Sequence, residues 1–369
     1  LDMPKIARRL GLLVVVVGMA FSTAMGPAHA RPKRFVIAPV PQVSQLDYTG
    51  CGAAALAMLF GQAGPPIDYM QVVDVVRSMA HGTSLLDMVR GAHFSEKSAA
   101  VSEAYPACQP AHGYGPRRLG YGAFFHAARE PWLDGLKDVI AQGIPVAVLT
   151  DWKPGETGPH YRVITGYDDD KGLLYLNDPW PYGTSLDRYR AAEGGGWAWP
   201  YTDFLAVWAL STADWGLPGG YRYGAVIATP WKVEVRAPAT VQAGEALAVQ
   251  VQATYTCPPP FGRGLFPAFP ARDVRLEVAV PPGFTAMGPP VQVGGKGALR
   301  AGDATPPVTF RLRAPRAPGR AVITVTARGQ VEGHVPDWGA TYWRKAYDYR
   351  DVIGGQCAIA VTVNPSPSK

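Results

Sequence analysis

The chain has 369 residues, of which 47% are hydrophobic and 17% charged, with 42 glycines and 36 prolines. That length exceeds one ordinary domain and favours two. The net charge of +6 is spread along the chain, with no basic stripe interleaved with aromatics, which excludes nucleic acid as an expected partner.

Residues 1–30 read as a secretory signal peptide. Lys5, Arg8 and Arg9 form a basic leader, Leu10 to Phe21 is an apolar run, and Ala28-His29-Ala30 fits a small-x-small cleavage site. The run is short for a membrane span and no comparable run follows, so no stable span is expected after cleavage; the alternative is an uncleaved anchor. Cleavage starts the mature chain at Arg31. It removes Lys5, Arg8, Arg9 and Asp2, a net +2, and leaves +4. The expected destination is periplasmic or extracellular.

Cys51 to Phe60 predicts an alanine-rich helix, with Leu56, Leu59 and Phe60 on one face and Gly61 at its end. Ile67 to Met79 predicts a second helix. Ser84-x-x-Asp87 has the form of a capping box opening a third. Gly91 to Arg118 is polar and broken by Gly and Pro, and predicts loops. Pro131 to Gln142 predicts a helix that proline opens and Gly143 ends. Ile144 to Thr150 predicts a strand, and Tyr161–Thr165 with Leu173–Asn177 a hairpin around an acidic turn. Ala191 to Pro200 reads as a flexible loop. Thr202 or Asp203 is placed to cap a helix from Phe204 to Leu210, and Ala225–Ala228 is a last strand. Helices first and an antiparallel sheet second is an α+β pattern.

After Pro230 the period becomes two. Predicted strands are Lys232–Arg236, Leu247–Tyr255, Val274–Val280, Val291–Val293, Val308–Ala314, Ala321–Ala327 and Ala358–Val363, with a Pro- and Phe-rich loop from Thr256 to Arg272. Short alternating strands punctuated by Gly and Pro predict an all-β immunoglobulin-like sandwich. The expected domains are therefore 31–230 and 231–363, with a tail at 364–369.

Four cysteines are present: Cys51, Cys108, Cys257 and Cys357. An exported protein meets oxidising conditions, so disulfides are allowed. Cys257 and Cys357 are a candidate pair; pairing of Cys108 with either stays open, because connectivity is not readable from sequence. Cys51 stands where its helix begins. A thiol attacks as the thiolate, and a helix N-terminus together with an imidazole supplies the stabilisation that needs. A buried structural cysteine is the competing reading. His160 opens an apolar strand, as a base at a cleft would. His81, His93 and His112 fall in polar or turn segments, His126 in a helical pattern, and His334 in the C-terminal half. Asp178 lies on the adjoining hairpin strand, within reach of the imidazole, and a carboxylate there would fix the tautomer. Asn177 is the rival orienter; adjacent strand residues face opposite ways, so only one can serve. Gln45 offers an amide N–H which, with the Cys51 backbone N–H, would suit an oxyanion. Trp180, Trp197 and Trp199 are either a wall of the cleft or core.

Gln45-x5-Cys51-Gly52, then His160-Tyr-Arg-Val-Ile-Thr-Gly-Tyr167, then Asn177-Asp178-Pro179 resembles the papain-like cysteine peptidases. It is closest to the bacteriocin-processing, double-glycine-peptidase branch and its secreted bacterial relatives. Val40-Pro41-Gln-Val-Ser-Gln45, the Gly143-Ile-Pro-Val step and Tyr201-x-x-Phe204-x-x-x-Trp208 resemble that branch too. The resemblance covers roughly residues 36 to 230. It implies an α+β papain-like fold, Cys51 as nucleophile, His160 as base and acid, Asp178 as orienter, Gln45 as oxyanion donor, a peptide or protein substrate, and no cofactor or metal. The Cys51–His160 and His160–Asp178 intervals are longer than that pattern expects. No transporter segments follow, so cleavage of export leaders inside a transporter is not expected. An amidase or transglutaminase-type acyl transferase on the same triad is the alternative. Another is a non-catalytic binding or adhesion protein using the sandwich. The sandwich itself reads as a spacer or as a contact for cell surface, protein or glycan.

Overall fold

A computed structural model describes residues 31–37, 39–76, 82–100, 113–180, 190–191, 196–213, 217, 219–336 and 346–366. The signal peptide, Cys108, His81 and His112 lie outside the described residues.

After β1 (Arg34–Val36) comes helix α1 (Cys51–Ala63), in which every residue from Cys51 to Phe60 is buried. It is wedged between α2 (Tyr69–Val76), α3 (Leu85–His93) and the sheet behind, contacting all three. Its small residues follow from that. At Gly52 a Cβ would come within 2.7 Å of Thr83. The Ser84 side chain accepts from Asp87 N at 2.9 Å while Asp87 Oδ2 accepts from Ser84 N at 3.2 Å, the capping box expected of α3.

The remaining N-terminal elements are β2 (Ala99–Ala100), β3 (Gly122–Ala128), α4 (Leu133–Ile140), β4 (Val146–Thr150), β5 (His160–Asp168), β6 (Leu173–Asn177), β7 (Arg190–Ala191), β8 (Trp197–Pro200), α5 (Tyr201–Trp208) and β9 (Arg222–Thr229). The sheet runs β3-β9-β4-β5-β6-β8-β7. Strand β1 lies beside Gly166–Asp168 of β5, and β4 beside His160–Ile164. His126 sits in β3, paired with Ala225, and not in a helix; the run Gly122–Phe125 is wholly buried and so shows no alternation to read. The segment read as a flexible loop ends in β8, which pairs with β6. Helix α5 starts after Pro200, so neither Thr202 nor Asp203 caps it.

The C-terminal half contains β10 (Lys232–Arg236), β11 (Thr240–Gln242), β12 (Ala246–Thr254), β13 (Arg272–Ala279), β14 (Thr285–Ala286), β15 (Val291–Val293), β16 (Val308–Arg313), β17 (Gly319–Val335) and β18 (Tyr347–Asn364). One sheet runs β10-β12-β16-β14. The other runs β11-β18-β17-β13-β15. Strands β17 and β18 reach far beyond the segments expected for them. Gly333 and Gly355 look like breakers in sequence but permit close approach: a Cβ on Gly333 would meet the Tyr349 ring at 2.3 Å, and one on Gly355 the Trp231 carbonyl oxygen at 2.1 Å.

Residues 32–369 form one compact unit. Strand β2 adds to β18 of the C-terminal sheet. Arg90 of α3 is ion-paired at 2.9 Å with Asp351 of β18, both wholly buried, and His93 Nδ1 lies 3.0 Å from Tyr349 Oη. The Pro- and Phe-rich loop is a clasp. Its Phe266 packs on Phe125 and His126, and its Phe261 on Trp132. Cys257 and Cys357 are both free thiols, contrary to the expected pairing: the first follows β12 in one sheet, and the second lies within β18 in the other.

Candidate active site

The first residue of β5 is His160 and the first of α1 is Cys51, and the fold brings the two side chains into hydrogen-bond contact. His160 Nε2 lies 2.7 Å from Asp178 Oδ1, which leaves Nδ1 for the thiol. His160 is 2% exposed, so water does not compete for either bond. Asp178 follows β6, whose pairing with β5 carries it back to the histidine. No side chain caps α1 and no acid occupies its first turn, so its N-terminal N–H groups and positive dipole end are not neutralised at Cys51.

Arg162, two residues along β5, is the member that sequence reasoning missed. Its Nε donates to Asp178 Oδ2 at 2.7 Å. Its Nη1 donates to Thr150 Oγ1 at 2.5 Å and to the Asp151 carbonyl at 3.0 Å, and its Nη2 donates to the Trp152 carbonyl. Thr150 in turn donates to the His160 carbonyl at 3.1 Å. The guanidinium lies 4.7 Å over the Trp199 ring and is wholly buried. An arginine inside the apolar run Tyr161–Ile164 was the available signal, since a buried cation needs a buried anion.

The electrostatics follow. Burial alone disfavours the Asp178 carboxylate, yet Arg162 and His160 hold its pKa far below the usual range, so it is ionised. Burial pushes the His160 imidazole down and Arg162 does likewise. The Asp178 charge and the bonds to Asp178 and Cys51 outweigh them, and its pKa lies above the ordinary value.

Asn177 faces the other way, donating to the carbonyls of Val40 at 3.1 Å and Pro41 at 3.3 Å, so it fastens the lead-in segment and does not meet His160. Gln45 is buried. Its backbone N–H donates to the Pro179 carbonyl at 2.8 Å and its Nε2 to the Asp47 carbonyl at 2.6 Å, which leaves one amide hydrogen uncommitted. Trp152 stands edge-on to His160 at 4.8 Å, Trp180 edge-on to Trp152 at 5.0 Å, and Tyr48 lies 5.4 Å from Trp180. Trp180 is therefore part of an aromatic wall beside the histidine, Trp199 is core beneath Arg162, and Trp197 is half-buried on β8. Burial lowers the pKa of the part-buried His126 to about 4, and burial with the nearby Arg90 charge lowers that of the wholly buried His93 to about 3.

Among the described residues no helix is long and apolar enough to cross a membrane. No curated protein gives a significant match to the chain. Residues 37–209, the stretch from the end of β1 through α5 that carries Cys51, His160 and Asp178, match the model of the Peptidase_C39 like family, which supports a C39-type cysteine peptidase in this part of the chain.

Proposed function

We propose that this protein is an exported cysteine peptidase working through Cys51, His160 and Asp178. The observation that carries it is one imidazole bonded on one side to a buried, ionised carboxylate and on the other to a thiol at an uncapped helix N-terminus. His160 Nδ1 takes the proton from Cys51 Sγ, and the thiolate attacks the peptide carbonyl carbon. The Cys51 N–H and the free Gln45 amide hydrogen stabilise the oxyanion. As the C–N bond breaks, His160 returns its proton to the leaving amine, and a thioester remains. Water, deprotonated by His160, then attacks the thioester and releases the acid and the thiol. Asp178 keeps its negative charge throughout and balances the imidazolium.

The signal-peptide character of residues 1–30 supports export. Two antiparallel-rich sheets whose strands alternate buried and exposed residues support an immunoglobulin-like sandwich for the C-terminal half. A thiol-directed activity probe tests the reading. Labelling is expected at Cys51 and is lost in Cys51→Ala and His160→Ala. Labelling at another cysteine that survives Cys51→Ala would refute it. Product analysis with added amines separates hydrolysis from acyl transfer to an amine.

A further inference from the structure

Beside Cys51 is a small pocket of about 70 Å³ lined by Cys51, Thr49, Thr83, Leu149, Pro159 and Tyr161. Two of these side chains end in hydroxyls that no other group satisfies. Thr83 Oγ1 and Tyr161 Oη are both buried, in residues 1% exposed, and neither has a hydrogen-bond partner. Thr83 stands directly over Gly52, where its Oγ1 would lie 2.9 Å from an added Cβ. Tyr161 lies within electrostatic reach of Cys51 and of Asp87. A buried hydroxyl without a partner is costly, and two in one pocket next to the nucleophile call for a polar occupant. The volume is that of about two water molecules, too little for an aromatic or long side chain.

We propose that this pocket is a specificity subsite for a serine or threonine side chain adjoining the scissile bond, its hydroxyl bonded by Thr83 and Tyr161. The proposal rests on the peptidase reading and deepens it. A substrate with an apolar side chain of the same size would enter the pocket and leave both hydroxyls unpaired. A site built to bond a substrate hydroxyl rejects the analogue lacking it far more strongly than an apolar pocket rejects a missing methylene. Each unpaired hydroxyl is worth about 5- to 150-fold in discrimination.

The test is a peptide library in which each residue near the cut is Ser, Thr, Ala or Val in turn. Thr over Val and Ser over Ala are expected by at least about tenfold in kcat/KM at one position adjoining the cut. Tyr161→Phe and Thr83→Val should each reduce that ratio by about fivefold or more. Thiol-probe labelling of Cys51 in both variants shows that the site is still folded. The same peptides are titrated against Cys51→Ala protein, so that selectivity is read from binding independently of cleavage. Cleavage or binding with no such preference, or a preference that survives both substitutions, would overturn the subsite, with ordered water as the pocket's only occupant; Cys51-dependent hydrolysis would leave the peptidase reading standing. Peptides that are neither cut nor bound would overturn both.

Discussion

Replacing Arg162 with methionine tests whether the buried cation sets the proton affinity of the Cys51–His160 pair. Arg162 and His160 bond opposite oxygens of one carboxylate, each at 2.7 Å. That geometry puts the two positive charges about 6 Å apart, worth about 3 kcal/mol of repulsion at an effective dielectric constant of about 20. That repulsion acts downward on the His160 pKa, against the pull of Asp178. Without Arg162, Asp178 stays ionised beside the imidazolium, so the alkaline limb of kcat/KM against pH should move up by about 1 to 2 units. Breaking the buried pair also costs about 3–5 kcal/mol of stability, readable as a fall in Tm. Arg162→Lys keeps the charge but supplies no fork for Asp178, Thr150 and the Asp151 carbonyl together, so it should restore the pH limb and only part of the Tm. An Arg162→Met enzyme with a lower Tm and an unmoved alkaline limb would reduce Arg162 to a structural residue. One unmoved in both would show that the ion pair is absent.

Three further outcomes are expected. Asp178→Asn should lower kcat by about 10⁴ through the wrong imidazole tautomer, whereas Asn177→Ala, measured below its Tm, should cost mainly stability because that amide holds the Val40 and Pro41 carbonyls; equal rate losses would contradict the assignment of Asp178 as orienter. The Asp351 carboxyl is pushed up to about 6 by burial, against the pull of Arg90 and the bonds from Ser98 and Ser95. A folded-state pKa above the ordinary 3.8 means that its stabilising contribution is complete below that value and lost as pH rises through about 6. On acidification from pH 7 towards pH 5 the Asp351 contribution grows while those of the neutral His93 and His126, held low, are lost, so Tm should fall over this window and fall more steeply in Asp351→Asn; Asp178, held low, loses its contribution only below about pH 4. Truncation after residue 230 should give an unstable, aggregating product by light scattering, because it strips the partners of Arg90, His93 and Phe125; a cooperatively unfolding fragment would show that the halves are separable.

The residues of the site were legible where their relation is local. His160 and Asp178 lie eighteen residues apart on one hairpin, and hairpin pairing brings such residues together whatever surrounds them. The choice between Asp178 and Asn177 needed only which of two adjacent residues turns towards the histidine, and Asn177 turns towards the lead-in segment. Arg162 was legible only as an oddity, because its partners come from four separate segments (β4, the loop after it, the residue after β6, and β8) and no single hairpin gathers them. Burial hid β3, whose wholly buried run Gly122–Phe125 erases the alternation that marks a strand, and glycines hid the full length of β17 and β18. In those two strands glycine serves close packing and not chain reversal, and composition alone cannot tell the two uses apart.

Helix α3 joins what the sequence presents as separate modules. Its C-terminal turn carries Arg90 and His93, locked to Asp351 and Tyr349 of β18. Its N-cap is Ser84, next in the chain to Thr83 of the pocket beside Cys51. Nine helical residues span about 13 Å, so the buried junction and the pocket wall are the two ends of one short rigid element. The C-terminal half therefore does more than tether the peptidase: by fixing α3 it fixes where Thr83 stands relative to Cys51. Substitutions at Arg90 or Asp351, remote from the thiol, should change selectivity at the Thr83 subsite before they change the reactivity of Cys51, whose own partners lie on β5 and after β6.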